Sequence, residues 1–299
     1  MITVKIHGGL GNQMFQYATA RALSLRSKQK MRIDPAPLFD ITPRKNFQIR
    51  EYRINNEFRL DPPMNIRARW AVHIKLPFFD TAFNKFYPML LGNVGYWKYV
   101  KEKTALFDSR INQLNGNVYL DGYWQSENYF KDFEDVIRSE FTFRHPISPV
   151  AQELERDIKA STSVCVHVRR GDYVNIAITK SIHDVVRDDY YEKAIKILKE
   201  KLGERIKVFV FSDDIGWCKK NLNFATGMTF VDEKYGDVAV RDDLQLMSFC
   251  KHFIIPNSSF SWWAAWLSRH VNKMVIAPKK WFNNNADTST IIPQGWLRI

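Results

Sequence analysis

Cysteine is scarce in this chain of 299 residues. Cys165, Cys218 and Cys250 lie far apart, and no two of them have the short spacing of a metal-binding or redox motif. This pattern argues against a disulfide-stabilised secreted scaffold, and it predicts a reducing compartment and no bound metal.

Long apolar runs are absent as well. A membrane-spanning helix needs about 18 consecutive apolar residues, and the sequence contains no such run. The opening residues MITVKIHGG lack the basic and apolar segments of a signal peptide. These two absences predict a cytoplasmic location.

Acidic residues are outnumbered, since 32 Asp and Glu against 44 Lys and Arg give a formal net charge of +12. This charge favours an anionic partner, such as nucleic acid, an anionic membrane surface or a phosphorylated small molecule. A nucleic-acid-binding protein would carry a basic surface stripe, whereas Arg169 and Arg170 follow an apolar run that predicts a buried strand. We therefore expect no nucleic-acid partner, while peripheral contact with the inner face of the cell membrane stays open.

Strand and helix patterns alternate in both halves of the chain, which predicts an α/β fold with parallel, doubly wound sheets. The first half opens with a strand at 2–7, a helix capped by Asn12 and a strand that ends at Asp34. The second half has strand patterns at 164–168, 207–211, 228–231, 253–255 and 274–277. Prolines near residue 148 indicate a boundary, so we predict two Rossmann-like domains, 1–148 and 149–299, that face a cleft.

The sequence HVRRGDY, residues 167–173, places two arginines at the end of a buried strand. Ligands of doubly wound sheets bind at these strand ends, and a guanidinium there can hold a diphosphate with two hydrogen bonds. Because neighbouring strand residues point to opposite faces, we expect only one of Arg169 and Arg170 to contact the ligand. The other would orient Asp172 or close the domain, and a structural ion pair between Arg170 and Asp172 is the alternative.

Two other strand patterns also end in polar residues. Asn257, Ser258 and Ser259 open a tryptophan-rich helix, where backbone N–H groups and hydroxyls can hold a phosphate or simply cap the helix. Asp213 and Asp214 follow the strand at 207–211. They either accept hydrogen bonds from guanine or ribose, or cap the next helix.

The sequence HGGLGN, residues 7–12, partly matches a dinucleotide-binding fingerprint. Met14 occupies the place of the third glycine, so the fingerprint is incomplete, and an NAD(P)- or flavin-dependent oxidoreductase is the competing functional hypothesis. A turn built on Gly9 and Gly11 also lets a sugar or phosphate approach the backbone, with Asn12 and Gln13 facing the cleft. The alternative is a plain strand-to-helix turn.

Together these motifs resemble those of the bacterial α-1,2-fucosyltransferases of glycosyltransferase family 11. The matching blocks are GGLGNQMFQYA at 8–18, DGYWQSENYF at 121–130, HVRRGDY at 167–173, FSDD at 211–214, NSSFSWWAAWL at 257–267 and IAPKKW at 276–281. The likeness spans nearly the whole chain, although residues 40–103 carry no family signature.

The resemblance implies a GT-B fold with a carboxyl-terminal domain that binds the donor and an amino-terminal domain on the acceptor side. It implies GDP-L-fucose as the donor and inverting transfer to O2 of a terminal β-galactose, in an oligosaccharide that can be lipid-linked. It also implies that the enzyme requires no metal or other cofactor.

The same resemblance suggests roles for individual residues. His167 and Arg169 match positions that contact the nucleotide and its β-phosphate, and Asp213 or Asp214 matches a guanine or ribose contact. The remaining matches are a phosphate-binding turn and an amino-terminal loop lining the cleft, formed by Ser258, Ser259, Gly9, Gly11 and Asn12.

Transfer also requires the acceptor hydroxyl to lose its proton. A positioned base contributes on the order of 100-fold or more, and Asp172 is the candidate, with His7 as the second choice. The alternative is that no base acts, because a dissociative step releases the proton late. Arg169 would neutralise the charge that grows on the departing diphosphate.

Overall fold

The computed structural model describes residues 1–35, 49, 52, 97–144, 146–170, 188–232, 235, 240–284 and 286–299. The chain forms two compact units, Met1–Thr142 and Phe143–Ile299. The boundary expected from the sequence, at residues 148 and 149, lies just inside the second unit.

The first unit contains a parallel sheet with the strand order β2-β1-β4-β3. Its strands are β1 (Ile2–Lys5), β2 (Met31–Asp34), β3 (Trp97–Lys101) and β4 (Asn117–Asp121). Its helices are α1 (Leu10–Ser27) and α2 (Glu134–Glu140), with 3₁₀ turns at Ser109–Gln113, Glu127–Tyr129 and Lys131–Phe133. Strand β1 lies between β2 and β4, so the chain adds strands on both sides of it.

Helix α1 begins at Leu10, and its N-cap is Gly9. The sequence predicts Asn12 as the cap, and this is wrong because Asn12 is the third residue of the helix. Its Oδ1 instead accepts a hydrogen bond from Gln125 Nε2 at 2.7 Å. A long-range contact has thus replaced the usual capping role of asparagine.

The second unit contains a parallel sheet with the strand order β10-β9-β8-β5-β6-β7. Its strands are β5 (Thr162–Val168), β6 (Ile206–Ser212), β7 (Thr229–Phe230), β8 (His252–Ile254), β9 (Val275–Ala277) and β10 (Leu297–Arg298). Its helices are α3 (Gln152–Ala160), α4 (Asp188–Leu202), α5 (Ile215–Asn221), α6 (Val240–Phe249) and α7 (Ser259–Leu267), with a 3₁₀ turn at Pro149–Ala151. All five strands predicted for this half are present, and β10 is additional.

Strand β5 is covered on both faces, as its β-branched run predicts. Val164, Val166 and Val168 pack in a cluster with residues of α4 and α5. On the opposite face, the ring of His167 lies 5.9 Å from that of Phe260 in α7. Each buried valine contributes about 1.5 kcal/mol or more, so the carboxyl end of β5 is firmly held.

Two Rossmann-like units in tandem, each with a parallel sheet, confirm the predicted α/β, GT-B-like fold class. The tryptophans of α7 belong to the core, as expected, since Trp262, Trp263 and Trp266 are all buried. The residues that directly follow β5 and β6 include the charged side chains of Arg169, Arg170, Asp213 and Asp214.

Candidate functional site

The sheet of the second unit changes direction beside β5. From β5 the chain adds β6 and β7 on one side, and then β8, β9 and β10 on the other. Ligands of doubly wound sheets bind at the carboxyl ends of the strands that flank such a point. The flanking strands are β5 and β8, so the segments 167–170 and 257–259 occupy the place where a ligand is expected.

The two arginines after β5 contact the two aspartates after β6. Arg169 Nη1 lies 2.9 Å from Asp213 Oδ2, and Asp213 Oδ1 accepts a hydrogen bond from the backbone N–H of Arg170 at 2.8 Å. Arg170 Nε lies 3.4 Å from Asp214 Oδ2. These contacts tie the ends of β5 and β6 together.

The two guanidiniums have different surroundings. The guanidinium carbon of Arg170 lies 3.6 Å from the ring centroid of Trp217 in α5, a cation–π contact that anchors the side chain. Arg169 pairs with Asp213, and 32% of its side chain is exposed, against 25% for Arg170. Arg169 is therefore the better placed of the two to meet a ligand, and Arg170 fastens β5 to α5.

The two aspartates, Asp213 and Asp214, have different structural roles. Asp214 caps α5, because its side chain accepts a hydrogen bond from the backbone N–H of Trp217 at 3.1 Å. The capping alternative is thus confirmed for this residue. Asp213 braces the two arginines and keeps 25% of its side chain exposed. A contact with guanine or ribose stays a prediction for both.

His167 is only 5% exposed. Burial, and after it the charge of Arg169, lowers the pKa of the imidazole to about 3, so the ring is neutral at physiological pH. Its Nδ1 has no hydrogen-bond partner among the residues that the structure describes. A neutral ring supplies no positive charge, so among the described residues of this strand end the positive side chains are those of Arg169 and Arg170.

The start of helix α7 lies at the end of β8. Ser258 is the N-cap, but its side chain makes no capping hydrogen bond, and its backbone N–H donates to the carbonyl of Pro256 at 2.8 Å. Asn257 is 3% exposed and its Nδ2 donates to the carbonyl of Trp281 at 2.9 Å. The first N–H groups of a helix have no partner within it, so this turn, with Ser259 as its first helical residue, is suited to an anion.

The candidate base Asp172 lies outside the described residues, as does its suggested ion pair with Arg170. The carboxylate therefore stays a prediction from the sequence. The second choice, His7, lies after β1, and burial lowers its pKa to about 4. Such a ring is a weak base at neutral pH.

The amino-terminal glycine turn lies in the first unit, between the ends of β1 and β4. Gly8 has a φ of 79°, which favours glycine. Gly9 is exposed, whereas Gly11 is buried in the first turn of α1. Of the predicted turn residues, Gly9 is exposed and Asn12 is partly exposed, so a ligand can reach these two more readily than Gly11.

Two buried glutamines of α1 hold this turn. The expectation that Gln13 faces a cleft is wrong, because Gln13 is 0% exposed and its Nε2 donates to the carbonyl of Gly8 at 3.0 Å. Gln16 Oε1 accepts from the backbone N–H of His7 at 3.0 Å, and its Nε2 donates to the carbonyl of Gly122 at 3.1 Å. The sequence analysis missed Gln16, although a glutamine in a buried helix must find polar partners.

The described part of the chain contains neither a metal-binding cluster nor a membrane-spanning helix. Within it, no group of three or more His, Cys, Asp or Glu residues could hold a metal ion. In the same residues, no helix is long and apolar enough to cross a membrane. Cys165, Cys218 and Cys250 are buried and free of disulfides.

Comparison with known proteins shows similarity over the whole chain, beyond the short motifs. The model of "Glycosyl transferase family 11" matches residues 1–299. An "Alpha-1,2-colitosyltransferase" of Escherichia coli is 34% identical and aligns over 100% of this chain and 99% of its own. The "O-antigen biosynthesis glycosyltransferase WbnK" of the same species is 30% identical over 98% of this chain and 99% of its own.

A more distant relative is the "Galactoside 2-alpha-L-fucosyltransferase Sec1" of Mus musculus, which is 28% identical. It aligns over 90% of this chain but only 64% of its own length. The two bacterial relatives are matched over nearly their full length, and the family model covers every residue. The chain therefore belongs to glycosyl transferase family 11, and the protein is a glycosyltransferase.

Proposed function

We propose that the protein transfers L-fucose from GDP-β-L-fucose to O2 of a terminal β-galactose, with inversion and without a metal. The observation that carries the proposal is the place of Arg169, held by Asp213 at the end of β5 and beside the strand that leads into α7. That arrangement suits a diphosphate. The GDP donor and the galactoside acceptor come from the family resemblance, which these contacts support.

The proposed reaction breaks one bond and forms another. The bond from the fucosyl anomeric carbon to the β-phosphate oxygen breaks, and O2 of galactose bonds to the same carbon from the opposite face. The hydroxyl loses its proton, and GDP leaves with the electron pair of the broken bond. Negative charge therefore grows on the diphosphate while the sugar becomes cationic.

Arg169 and the start of α7 would stabilise that growing charge. A fixed hydrogen-bond donor aimed at developing negative charge is worth about 3 kcal/mol in a water-poor site. Asp213 holds the Arg169 guanidinium at 2.9 Å, so the arginine does not have to be ordered during the reaction. Arg170 would act by holding Asp214 and Trp217 in place.

Proton removal from the acceptor hydroxyl needs either a base or an early departure of GDP. Asp172 is our candidate base, because it follows the arginines in HVRRGDY. His7 is a weaker candidate, since its pKa of about 4 leaves it little basicity. A reaction that expels GDP early needs no strong base, because the hydroxyl becomes acidic as it bonds to the cationic sugar.

Colitose is the second candidate for the transferred sugar. The observation that favours it is the 34% identity with an α-1,2-colitosyltransferase over the whole chain. Colitose is L-fucose without the 3-hydroxyl group. A comparison of the two donors therefore shows whether the protein makes a polar contact with that hydroxyl. A site that hydrogen-bonds this hydroxyl would reject colitose by about 10⁴-fold, whereas an apolar pocket would reject fucose by only about 100-fold.

The test is a transfer assay with the purified protein. GDP-L-fucose and GDP-colitose are each offered with lactose and with a matched α-galactoside, with and without EDTA. We expect a product linked at O2 of the β-galactoside, formed equally well in EDTA. Absence of transfer from either donor to the β-galactoside would refute the proposal.

A binding measurement separates the competing functions. Thermal unfolding is followed with GDP, NADH or a short DNA duplex, and a ligand at 100 times its Kd stabilises the fold by about 2.7 kcal/mol. We expect a rise in Tm with GDP that EDTA does not change. A response to NADH alone would instead favour an oxidoreductase that uses the glycine turn, and a response to the duplex alone would favour nucleic-acid binding.

A further inference from the structure

The sheet of the first unit has its own change of strand direction. Strand β1 is flanked by β2 and β4, so a ligand is expected between the carboxyl ends of β1 and β4. The segments that follow these strands are 6–9 and 122–125. The proposed function gives Arg169 and α7 to the donor, and it leaves this second strand-end position without a ligand.

An exposed aromatic ring stands at that position. Tyr123 is 43% exposed and is among the large apolar side chains of the structure that face solvent. Its ring centroid lies 4.6 Å from that of His7, at an angle of 55°. Its Cε1 lies 3.5 Å from the position that a Cβ on Gly8 would occupy. One edge of the ring thus lies against the glycine turn, while 43% of the residue stays exposed.

The backbone of Tyr123 is held by a buried carboxylate. Glu102 Oε2 accepts a hydrogen bond from the N–H of Tyr123 at 2.6 Å, and Oε1 accepts from the N–H of Trp124 at 2.9 Å. Gly122 must be glycine for this contact, because a Cβ there would lie 2.3 Å from Glu102 Cβ. Burial raises the pKa of Glu102, so keeping this carboxylate ionised costs free energy that other contacts of the fold offset.

Trp124 adds a second sign that this turn is held in an unfavourable shape. Its φ is 56°, which is rare for a bulky residue and costs on the order of 1 kcal/mol or more. Strain of this kind persists only where surrounding contacts enforce it, and it is concentrated at binding sites. Here the strained residue directly follows Tyr123, and Glu102 holds the backbone N–H groups of both.

Open space adjoins the ring at Gly9. A Cβ added to Gly9 would meet no atom within 4 Å, and its φ of −74° is accessible to every residue. Neither packing nor backbone geometry in the described residues therefore requires glycine there. Close approach of a ligand to the backbone is a sufficient reason for it.

The charges around Tyr123 indicate what that ligand is. Burial raises the pKa of its phenol, and the carboxylates Glu102 and Asp121 raise it further. His7 is neutral at physiological pH because burial lowers its pKa to about 4. Asp121 pairs with Lys5 at 3.2 Å, so the charges near Tyr123 largely cancel, which suits a neutral sugar better than a diphosphate.

We propose that Tyr123 and Gly9 form the subsite for the acceptor sugar, with the C–H face of the galactose stacked on the tyrosine ring. Hexoses have an apolar face that packs against aromatic rings and hydroxyls that bond to nearby polar groups. Glu102 is a positioning residue for this subsite, since it touches only the backbone that carries the ring. The inference rests on the proposed function, which supplies a β-galactoside as acceptor.

The first test compares Tyr123→Ala with Tyr123→Phe in the transfer assay. Loss of the ring should raise the KM for lactose about tenfold or more and leave the KM for the sugar nucleotide unchanged. The phenylalanine variant keeps the ring and should stay close to wild type. An unchanged lactose KM in Tyr123→Ala, or a higher KM for the nucleotide instead, would overturn the subsite.

The second test uses a matched pair of glycines. A Cβ on Gly295 would also meet no atom within 4 Å, and Gly295 lies on the surface of the second unit. Gly9→Ala should raise the lactose KM while Tm changes little, and Gly295→Ala should change neither. Equal kinetics for the two variants would show that Gly9 does not face the acceptor.

A measurement without turnover separates this inference from the proposed function. Saturation-transfer difference NMR on lactose, in the presence of GDP, reports which sugar protons contact the protein. We expect strong signals from one galactose face in wild type and their loss in Tyr123→Ala. If wild type binds GDP and transfers sugar while both proteins give the same NMR pattern, only the subsite fails; if no β-galactoside is bound or used, the proposed function fails with it.

Discussion

Adjacent arginines that look equivalent in HVRRGDY should respond in opposite ways to substitution. Arg169 pairs with Asp213 and is partly exposed. Arg170 pairs with Asp214 and lies over Trp217. Arg169→Ala should therefore weaken GDP binding with little effect on stability, and Arg170→Ala should mainly lower stability.

The stability changes follow from the contacts that each variant loses. Arg169→Ala removes the partly exposed ion pair with Asp213, worth about 0 to 1 kcal/mol, and Asp213 keeps its hydrogen bond from the Arg170 N–H at 2.8 Å. Arg170→Ala removes an ion pair of the same class and a cation–π contact worth about 0.5 to 2 kcal/mol. At about 2 to 4 °C per kcal/mol, we expect Arg170→Ala to lower Tm by roughly 1 to 12 °C.

The binding change is expected in the other variant. A hydrogen bond to a charged group contributes about 1.5 to 3 kcal/mol, which corresponds to a roughly 10- to 150-fold increase in the Kd for GDP. Arg169→Lys should recover only part of this, because an ammonium cannot reproduce the planar, two-pronged contact of a guanidinium. Arg170→Ala should bind GDP with a Kd close to that of wild type.

Isothermal titration with GDP and calorimetric unfolding of each variant provide the two readings. Both variants are titrated well below their own Tm, so that loss of affinity is not confused with unfolding. The reasoning fails if Arg170→Ala loses GDP affinity at unchanged Tm while Arg169→Ala retains it. That result would assign the diphosphate to the other arginine.

Three further predictions address single contacts. Gly122→Ala should lower the free energy of unfolding by about 1 to 3 kcal/mol in urea titrations, because its Cβ would lie 2.3 Å from Glu102 Cβ. Ser258→Ala should leave Tm nearly unchanged, since the hydroxyl makes no capping bond, yet should raise the GDP Kd about 2- to 10-fold by calorimetry if it meets a phosphate. Burial raises the pKa of Asp243 from 3.8 to about 7, so the folded protein holds a proton that the unfolded chain releases. The contribution of Asp243 to stability should therefore fall by up to about 4 kcal/mol as pH rises from roughly 4 to 7, so in urea unfolding the stability of wild type relative to Asp243→Asn should be lower at pH 8 than at pH 5.

Local patterns were enough to locate the strand ends. The alternating β-branched residues of β5 identify a buried strand, and its register with β6 and β8 brings the segments HVRR, FSDD and NSSFS to one edge. The capping role of Asp214 was also among the sequence alternatives, because Asp is a common N-cap. Such features depend on residues close together in the chain, which sequence patterns describe well.

Long-range contacts explain what the sequence did not predict. The sequence offers no sign that Trp217 anchors Arg170, because the two residues belong to different elements. Asn12 was expected to cap α1, but a side chain more than a hundred positions away, Gln125, binds it instead. Likewise, Glu102 and Gly122 constrain each other only once β3 and β4 are paired.

The two sheets share a topological position but not its chemistry. In each unit the first strand lies beside the point where the strand order changes direction, so the fold alone marks two places for ligands. After β5 that place carries guanidiniums and a helix start, which suit an anionic diphosphate. After β1 it carries an exposed tyrosine, a neutral histidine and glycines, which suit an uncharged sugar. A glycosyltransferase needs both kinds of site, so the proposed function follows from the side chains that distinguish the units and not from the fold they share.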